Sequence, residues 1–275
     1  MLAQKPLVFL VMPRYNQMVD ARAQRAFLSA TKGECQISFG HPEIGGSPVE
    51  SQTSVLPQAF NAPWVIALNL RKILPVSHWA MLHSDVEPQF GWLDLLVKEH
   101  RRLGCDVLSC VIPFQIPTGI TSTAIGHTGW SPDTVDISEK PRRLTMREVY
   151  KLPRSFSIQE VRKSFPEVGP DSFLMVNTGC FLCDFSKPWV EKITFRFLNR
   201  NAKGPDGKWH TACRTEDFDF SLQAFHLGLS VFATTVVPLQ HHGDCAYPND
   251  QPWGLQETDT EYFAFHGDID RTTTK

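Results

Sequence analysis

The chain has 275 residues, 42% of them hydrophobic and 20% charged, with a net charge of -2. That length can bury a sizeable core. Near-neutrality removes the global signature of a polyanion-binding protein, and no apolar run approaches the roughly 20 residues of a bilayer span.

From the N-terminus, "LVFLVM" (7–12) is an apolar run of strand length. Polar "RYNQ" follows it where a secretory leader would place a small-residue cleavage site, so a first strand and a cytoplasmic protein are expected. "QMVDARAQRAFLSATKG" reads as a helix stopped at Gly33, and "CQISFG" as a short strand. "HPEIGGSPVESQTS" is a loop by its Gly, Pro and Ser content. "PQAFNAPWVIALNLRKIL" places Phe60, Trp64, Ala67 and Leu68 on one helical face. "HWAMLH" is a strand, "GWLDLLVKEHRRLG" a helix closed by Gly104, and "DVLSCVI" a further strand. This alternation predicts an α/β fold with a largely parallel sheet covered by helices.

Residues 113–170 break the pattern. They read as a long, loop-rich insertion without a sustained period, and 139–163 hold eight Lys or Arg against three Glu. Strands return in "SFLMVNTGCFLCDFS". "SKPWVEKI" is expected to open a helix with Ser186 as N-cap, and "NRNAKGPDGKWH" to be a turn-rich loop. "TEDFDFSLQAFHLG" predicts a helix stopped by Gly228, and "SVFATTVVPL" a last strand that ends in "QHHGD". The seven cysteines are odd in number and scattered, unlike a disulfide framework. On a strand, Cys180 and Cys183 point to opposite faces and cannot share a metal. Trp64, Trp79 and Trp92 are expected in the core. Trp130, Trp209 and Trp253, in loop-like segments, are candidates to stack on a sugar or base. No linker separates two domains.

Ligands of open α/β sheets bind beyond the carboxyl ends of strands. Three polar clusters fall there: "HSDVEP" after the third strand, "TEDFDF" at a helix start, and "QHHGD" after the last strand. Acids and imidazoles converging on such a place suit a divalent cation completed by water and substrate oxygens. If the strand runs on, His83, Asp85 and Glu87 share one face, so spacing cannot choose among them.

The order "MLHSDVEPQFGWLD", "NTGCFLCDFSKPW", "RTEDFDFSLQAFHLGLSV" and "PLQHHGD" resembles a metal-dependent, inverting glycosyltransferase of the GT-A fold, family-2-like. The resemblance covers most of residues 6–244. It implies one Rossmann-like domain over 1–275, with a mixed, mainly parallel sheet and helices on both faces. Residues 1–112 would be the nucleotide-sugar-binding half, and 113–275 the acceptor-binding and catalytic half. It implies Mn²⁺ or Mg²⁺ as cofactor and a nucleoside diphosphate sugar, usually a uridine one (UDP), as donor. Asp85 then stands at the metal-binding acid. His83 replaces the first Asp of the usual Asp-x-Asp pattern, or Glu87 supplies the second acid in the other register. His242 completes the metal site, with His241 as its competitor. Pro13 and Tyr15 would meet the base, and Asn61, Arg71 and Ser84 are further donor-site candidates. Asp217 would be the general base and Glu216 would position acceptor or sugar.

Each feature has a plainer reading: turn carboxylates at 85 and 87, helix-dipole partners at 216, 217 and 219, a structural histidine, a solvated basic surface. Rival functions are a sugar-phosphate nucleotidyltransferase, which "MPRYNQM" disfavours by lacking glycine, and a non-catalytic sugar-nucleotide-binding protein. The basic stretch, through Arg142, Arg143 and Arg147, points to an anionic acceptor. A hydroxymethylated base in viral DNA is one candidate; a glycan, lipid-linked sugar or protein is the other.

Overall fold

The computed structural model describes residues 5–13, 19–39 and 56–256. The first part of the chain forms β1 (Leu7–Val11), α1 (Ala21–Leu28), β2 (Gln36–Phe39), α2 (Leu56–Leu70), β3 (Val76–Leu82), β4 (Val86–Pro88), α3 (Trp92–Leu103) and β5 (Val107–Cys110). The middle forms β6 (Ile120–His127), β7 (Arg142–Thr145), α4 (Met146–Val149), β8 (Ser155–Phe156), α5 (Ile158–Ser164), β9 (Ser172–Met175) and β10 (Cys180–Asp184). The last part forms β11 (Leu198–Lys203), β12 (Trp209–Arg214), α6 (Glu216–His226), β13 (Val231–Thr234), β14 (Leu239–His242) and β15 (Ala246–Pro248).

The main sheet has seven strands in the order β2-β1-β3-β10-β5-β13-β8. β2, β1, β3, β5 and β13 run one way; β10 runs against both β3 and β5, and β8 runs against β13. The architecture is mixed α/β. Its central strands β1, β3, β5 and β10 are mostly apolar because both faces are covered, whereas the edge strand β2 is partly exposed. Phe9, Trp79, Met81, Phe181 and Cys183 face α2 and its aromatic cluster, in which Phe60, Trp64 and Phe195 are buried. Val8, Leu10, Ala80, Leu82, Leu108 and Cys180 face α1 and α3, where Ala26, Trp92, Leu93 and Leu96 complete the second core. Cys180 and Cys183 therefore lie on opposite faces, as their spacing predicts. Fully burying one such aromatic or aliphatic side chain contributes roughly 1.5–3 kcal/mol. Among the described residues no helix is long and apolar enough to cross a membrane.

Several elements differ from the sequence reading. The insertion is ordered: β7-β6-β9 form a small antiparallel sheet, against which α6 packs through Phe218 and Leu222. β6 carries Thr121, Ser122 and Thr123, all buried. Their polarity hides the strand. Thr121 Oγ1 donates to the Leu144 carbonyl (2.7 Å) and Ser122 Oγ to that of Ile112 (2.9 Å), so burial of these two hydroxyls is tolerated, while that of Thr123 has no partner among the described residues. The segment "SKPWVEKI" makes one 3₁₀ turn, Pro188–Glu191, instead of an α-helix; Ser186 bonds back to Asp184 rather than capping it. β11 and β12 form a hairpin closed at Gly204–Gly207, with Gly207 in the left-handed region (φ 74°) that glycine favours. The flanks of a turn seen in the sequence are thus strands. β14 is not the end of β13. It belongs to a second small sheet, β15-β14-β4.

Candidate functional site

The site gathers where β3 ends. β3 stops at Leu82, and residues 83–85 turn, with Val86 N–H reaching the His83 carbonyl (3.3 Å). The expectation that His83, Asp85 and Glu87 share one strand face therefore does not hold, because the strand is interrupted between them. β4 then pairs with β14, bringing "QHHGD" against "HSDVEP".

Asp85 meets His241. His241 Nε2 lies 3.2 Å from Asp85 Oδ2, and its Nδ1 lies 2.7 Å from the Pro113 carbonyl. A carbonyl only accepts, so Nδ1 carries the proton. Nε2 then either holds a second proton toward Asp85 or shares a cation with it. Gln115 Nε2 adds a 3.3 Å bond to Asp85 Oδ2 and another to the His242 carbonyl. Burial pushes the Asp85 carboxyl up, but the hydrogen bond and charge of His241, with His83, outweigh it and hold the group below its ordinary value.

His83 stands beside this pair. Its Nε2 is buried without a partner, and its ring lies 5.5 Å from that of Phe60. Burial, then the competing charges of Asp85 and His241, bring its pKa down to about 4, so it is neutral near pH 7. Gly179 makes room for it: a Cβ there would meet Asn177 Oδ1 at 2.6 Å, Ile112 Cδ1 at 2.8 Å and His83 Nδ1 at 3.2 Å.

Glu87 and His242 meet each other instead of Asp85, with Glu87 Oε2 2.7 Å from His242 Nε2. The histidine of "QHHGD" whose ring reaches the Asp85 carboxylate is therefore His241, while His242 meets Asp85 only through its backbone N–H, which donates to the Asp85 carbonyl (2.9 Å). Ser84 accepts the Asp20 N–H at its carbonyl (2.9 Å), tying the start of α1 to the turn. Pro13 is buried just past β1; Tyr15 lies outside the described residues. Asn61 and Arg71 have partners within the fold. The Asn61 amide bonds both ways with the Phe195 backbone (2.8 and 2.9 Å), and Arg71 bonds the Phe185 and Lys187 carbonyls and Glu191. These contacts hold α2 to the chain after β10.

The second cluster opens α6. Thr215 is its N-cap, and the Thr215 hydroxyl donates to Asp217 Oδ1, which also accepts the Phe218 N–H (2.8 Å). Asp217 Oδ2 accepts nothing among the described residues. Burial pushes the Asp217 carboxyl above its ordinary value, against the lowering effects of Thr215 and Arg143. Glu216 is 6% exposed, and burial, then the charge of Asp217, raises it to about 7. Asp219 is wholly buried and spoken for: Arg196 Nε and Gln223 Nε2 donate to it at 2.8 and 2.7 Å. It anchors the helix, with Arg214, which also binds Glu139 in the insertion (2.7 Å).

The three arginines of the basic stretch part company. Arg142 pairs with buried Glu148 (2.5 Å), and Arg147 Nε donates to the Gly254 carbonyl (2.9 Å). Arg143 alone of the three turns to the site, its guanidinium carbon 4.6 Å from the Phe114 ring centroid and 4.7 Å from that of Phe218. Segment 113–115 thus joins the two clusters. Pro113 holds His241, Phe114 holds Arg143, and Gln115 holds Asp85. Gln115 and Phe114 were not anticipated, although both lie just beyond a strand's carboxyl end. Of the loop tryptophans, Trp253 packs on Tyr247, Trp130 meets Phe173 edge-on, and Trp209 is 70% exposed on the hairpin.

Among the described residues no three His, Cys, Asp or Glu side chains are grouped to hold a metal by themselves. The Asp85–His241 pair, with the orphaned His83 nitrogen nearby, nonetheless fits a divalent cation whose remaining ligands come from substrate and water. It has one anionic oxygen, one imidazole nitrogen oriented by a backbone carbonyl, and an unmet polar atom.

No family model matches the chain, and no curated protein matches it. Among solved structures, the crystal structure of A197 from STIV is similar to it over 92% of this chain and 95% of that one, with a TM-score of 0.47 and 14% sequence identity.

Proposed function

We propose that the protein is an inverting glycosyltransferase of the GT-A kind that moves a sugar from a nucleoside diphosphate sugar, a uridine one in the first instance, to an acceptor hydroxyl. The observation that carries this reading is the joining of an Asp–His pair and an elevated carboxylate pair by one short segment, 113–115.

Asp85 and His241, with His83 nearby, would hold Mn²⁺ or Mg²⁺. Such an ion, when bound, stabilises the charge that develops on a departing diphosphate. Gln115 keeps the Asp85 carboxylate oriented. At the other cluster, Asp217 is held by two donors at Oδ1, which leaves Oδ2 to take the acceptor's proton. The acceptor oxygen then forms its bond to the anomeric carbon as the bond to the diphosphate breaks, and the bonding pair leaves with the diphosphate. One in-line displacement inverts the carbon and needs no protein nucleophile. The raised pKa brings the base nearer to working pH, where proton transfer is most efficient. Glu216, protonated up to about pH 7, can donate a hydrogen bond to acceptor or sugar beside it. The test is the thermal shift given by UDP-sugars with and without Mn²⁺. The wild type should be stabilised by the two together, and Asp85→Asn should not. A full metal-dependent shift in the variant refutes the assignment. Donor binding without hydrolysis or transfer would leave a sugar-nucleotide-binding protein.

A further inference from the structure

Arg143 is unlike the other arginines around the site. Arg142, Arg147, Arg154, Arg162, Arg196 and Arg214 all donate to carboxylates or carbonyls. Arg143 makes no hydrogen bond or ion pair with any described residue, although it is half-buried. Phe114 and Phe218 flank it at nearly equal distances. An arginine stacked in this way keeps its faces against the rings and its rim of N–H donors free. Burial pulls its pKa down and Asp217 pulls it up, the net being down. It remains charged, because guanidinium does not lose its proton in proteins. Asp217 is felt electrostatically but makes no ion pair with it, so the pair does not satisfy Arg143.

A partly desolvated cation without a counter-ion is costly unless a ligand completes it. The clamp reduces the entropy that binding would otherwise cost, and the guanidinium rim matches a planar carboxylate or a phosphate in two parallel hydrogen bonds. Position narrows the source of the anion. The Asp85–His241 pair is held by Pro113 and Gln115, whereas Arg143 lies on Phe114 between them, with the other Phe of its clamp, Phe218, next in the chain to Asp217. The two neighbouring arginines are already paired within the fold, so a row of phosphates would find one free guanidinium here.

We propose that Arg143 is a specificity-determining residue that receives a single carboxylate or phosphate carried by one of the two sugars joined at Asp217. The inference rests on the glycosyl-transfer reading for its location, but its test does not need turnover. Isothermal titration compares methyl β-D-glucuronide with methyl β-D-glucoside, glucose 6-phosphate with glucose, and, with Mn²⁺, UDP-glucuronate with UDP-glucose. The first two pairs probe an acceptor's carboxylate and phosphate, the third the transferred sugar. The wild type should prefer the charged member of at least one pair by about tenfold or more, the scale of a charge-assisted bond. Arg143→Met, which keeps an unbranched chain between the rings, should erase that preference. Equal binding within every pair overturns the proposal, and so does a preference that survives in Arg143→Met. If that variant does not fold, the wild-type Arg143 Nε–H resonance decides. It should move with the charged member of the preferred pair and not with the neutral one; a resonance indifferent to both overturns the proposal. Failure of both UDP-sugars to bind with metal would instead strike the glycosyl-transfer reading, leaving the glucuronide and phosphate comparisons to judge Arg143.

Discussion

Glu216→Gln should make the protein more stable at neutral pH and leave its stability near pH 4.5 unchanged. Glu216 is almost wholly buried, and burial followed by the charge of Asp217 raises its pKa from 4.5 to about 7. Between these values the folded chain keeps the proton and the unfolded chain releases it. The unfolded state then binds fewer protons, so stability falls as pH rises through this window and levels off above about pH 7. At ~1.4 kcal/mol per pH unit, the loss accumulates to about 3 kcal/mol. Glutamine is nearly isosteric, remains polar and does not titrate. Urea unfolding of both proteins at steps from pH 4.5 to 8 should show the variant's advantage growing to about 3 kcal/mol, a midpoint difference of about 1 M for a slope near the upper end of the usual range. A difference that stays flat across the series refutes the reasoning. A steeper climb would mean that Asp217, also raised, titrates in the same window.

Asp217→Asn should keep donor binding, because an amide oxygen still accepts from Thr215 and Phe218, but turnover should fall roughly 10²–10⁴-fold; near-normal turnover would remove Asp217 as the base. His241→Ala should abolish metal-dependent stabilisation by UDP-sugars, while His242→Ala should retain it and lose about 1–3 kcal/mol of stability for the stranded Glu87 partner. Thermal shifts and urea melts of the two variants read this contrast, and the reverse pattern would return His242 to the metal site. Gly179→Ala should cost about 1–3 kcal/mol through overpacking against Asn177, Ile112 and His83, measured by urea unfolding; an unchanged midpoint would show that the His83 pocket gives way easily.

The main sheet was legible because its central strands are buried on both faces and its helices carry a clear apolar side. "LVFLVM" and "HWAMLH" needed only their apolar runs, and Gly104 and Gly228 marked helix ends where both residues do take left-handed φ values (62° and 69°). The insertion was illegible because Thr121 and Ser122 bury hydroxyls that bond to carbonyls from other segments, information that no local pattern holds. At the site, the polar clusters could be found by their places after strands. Their pairing could not. Choosing His241 over His242 depends on the turn at 83–85 and on the β4–β14 register, in which Val86 lies opposite His241. Arg142 and Arg143 are neighbours of identical type, and only the position of Glu148 and of two Phe rings separates an internal strut from an open cation.

The position of β10 also bears on how the chain is made. In the main sheet β3 and β5 do not touch; β10 lies between them, pairing Cys180 with Leu82 and Cys183 with Val107. A ribosome has released β1, β2, β3 and β5, the last ending at Cys110, well before it delivers this one, which begins at Cys180. Until then the nascent chain holds two apolar strand edges that cannot find each other, and the turn bearing Asp85 has no neighbour on one side. Such long-range closure slows folding and leaves exposed edges open to aggregation meanwhile. The strand that joins β3 to β5 is therefore also a step on which a chaperone, or a slow codon placed downstream of it, would act, before α6 and β14 deliver Asp217 and His241.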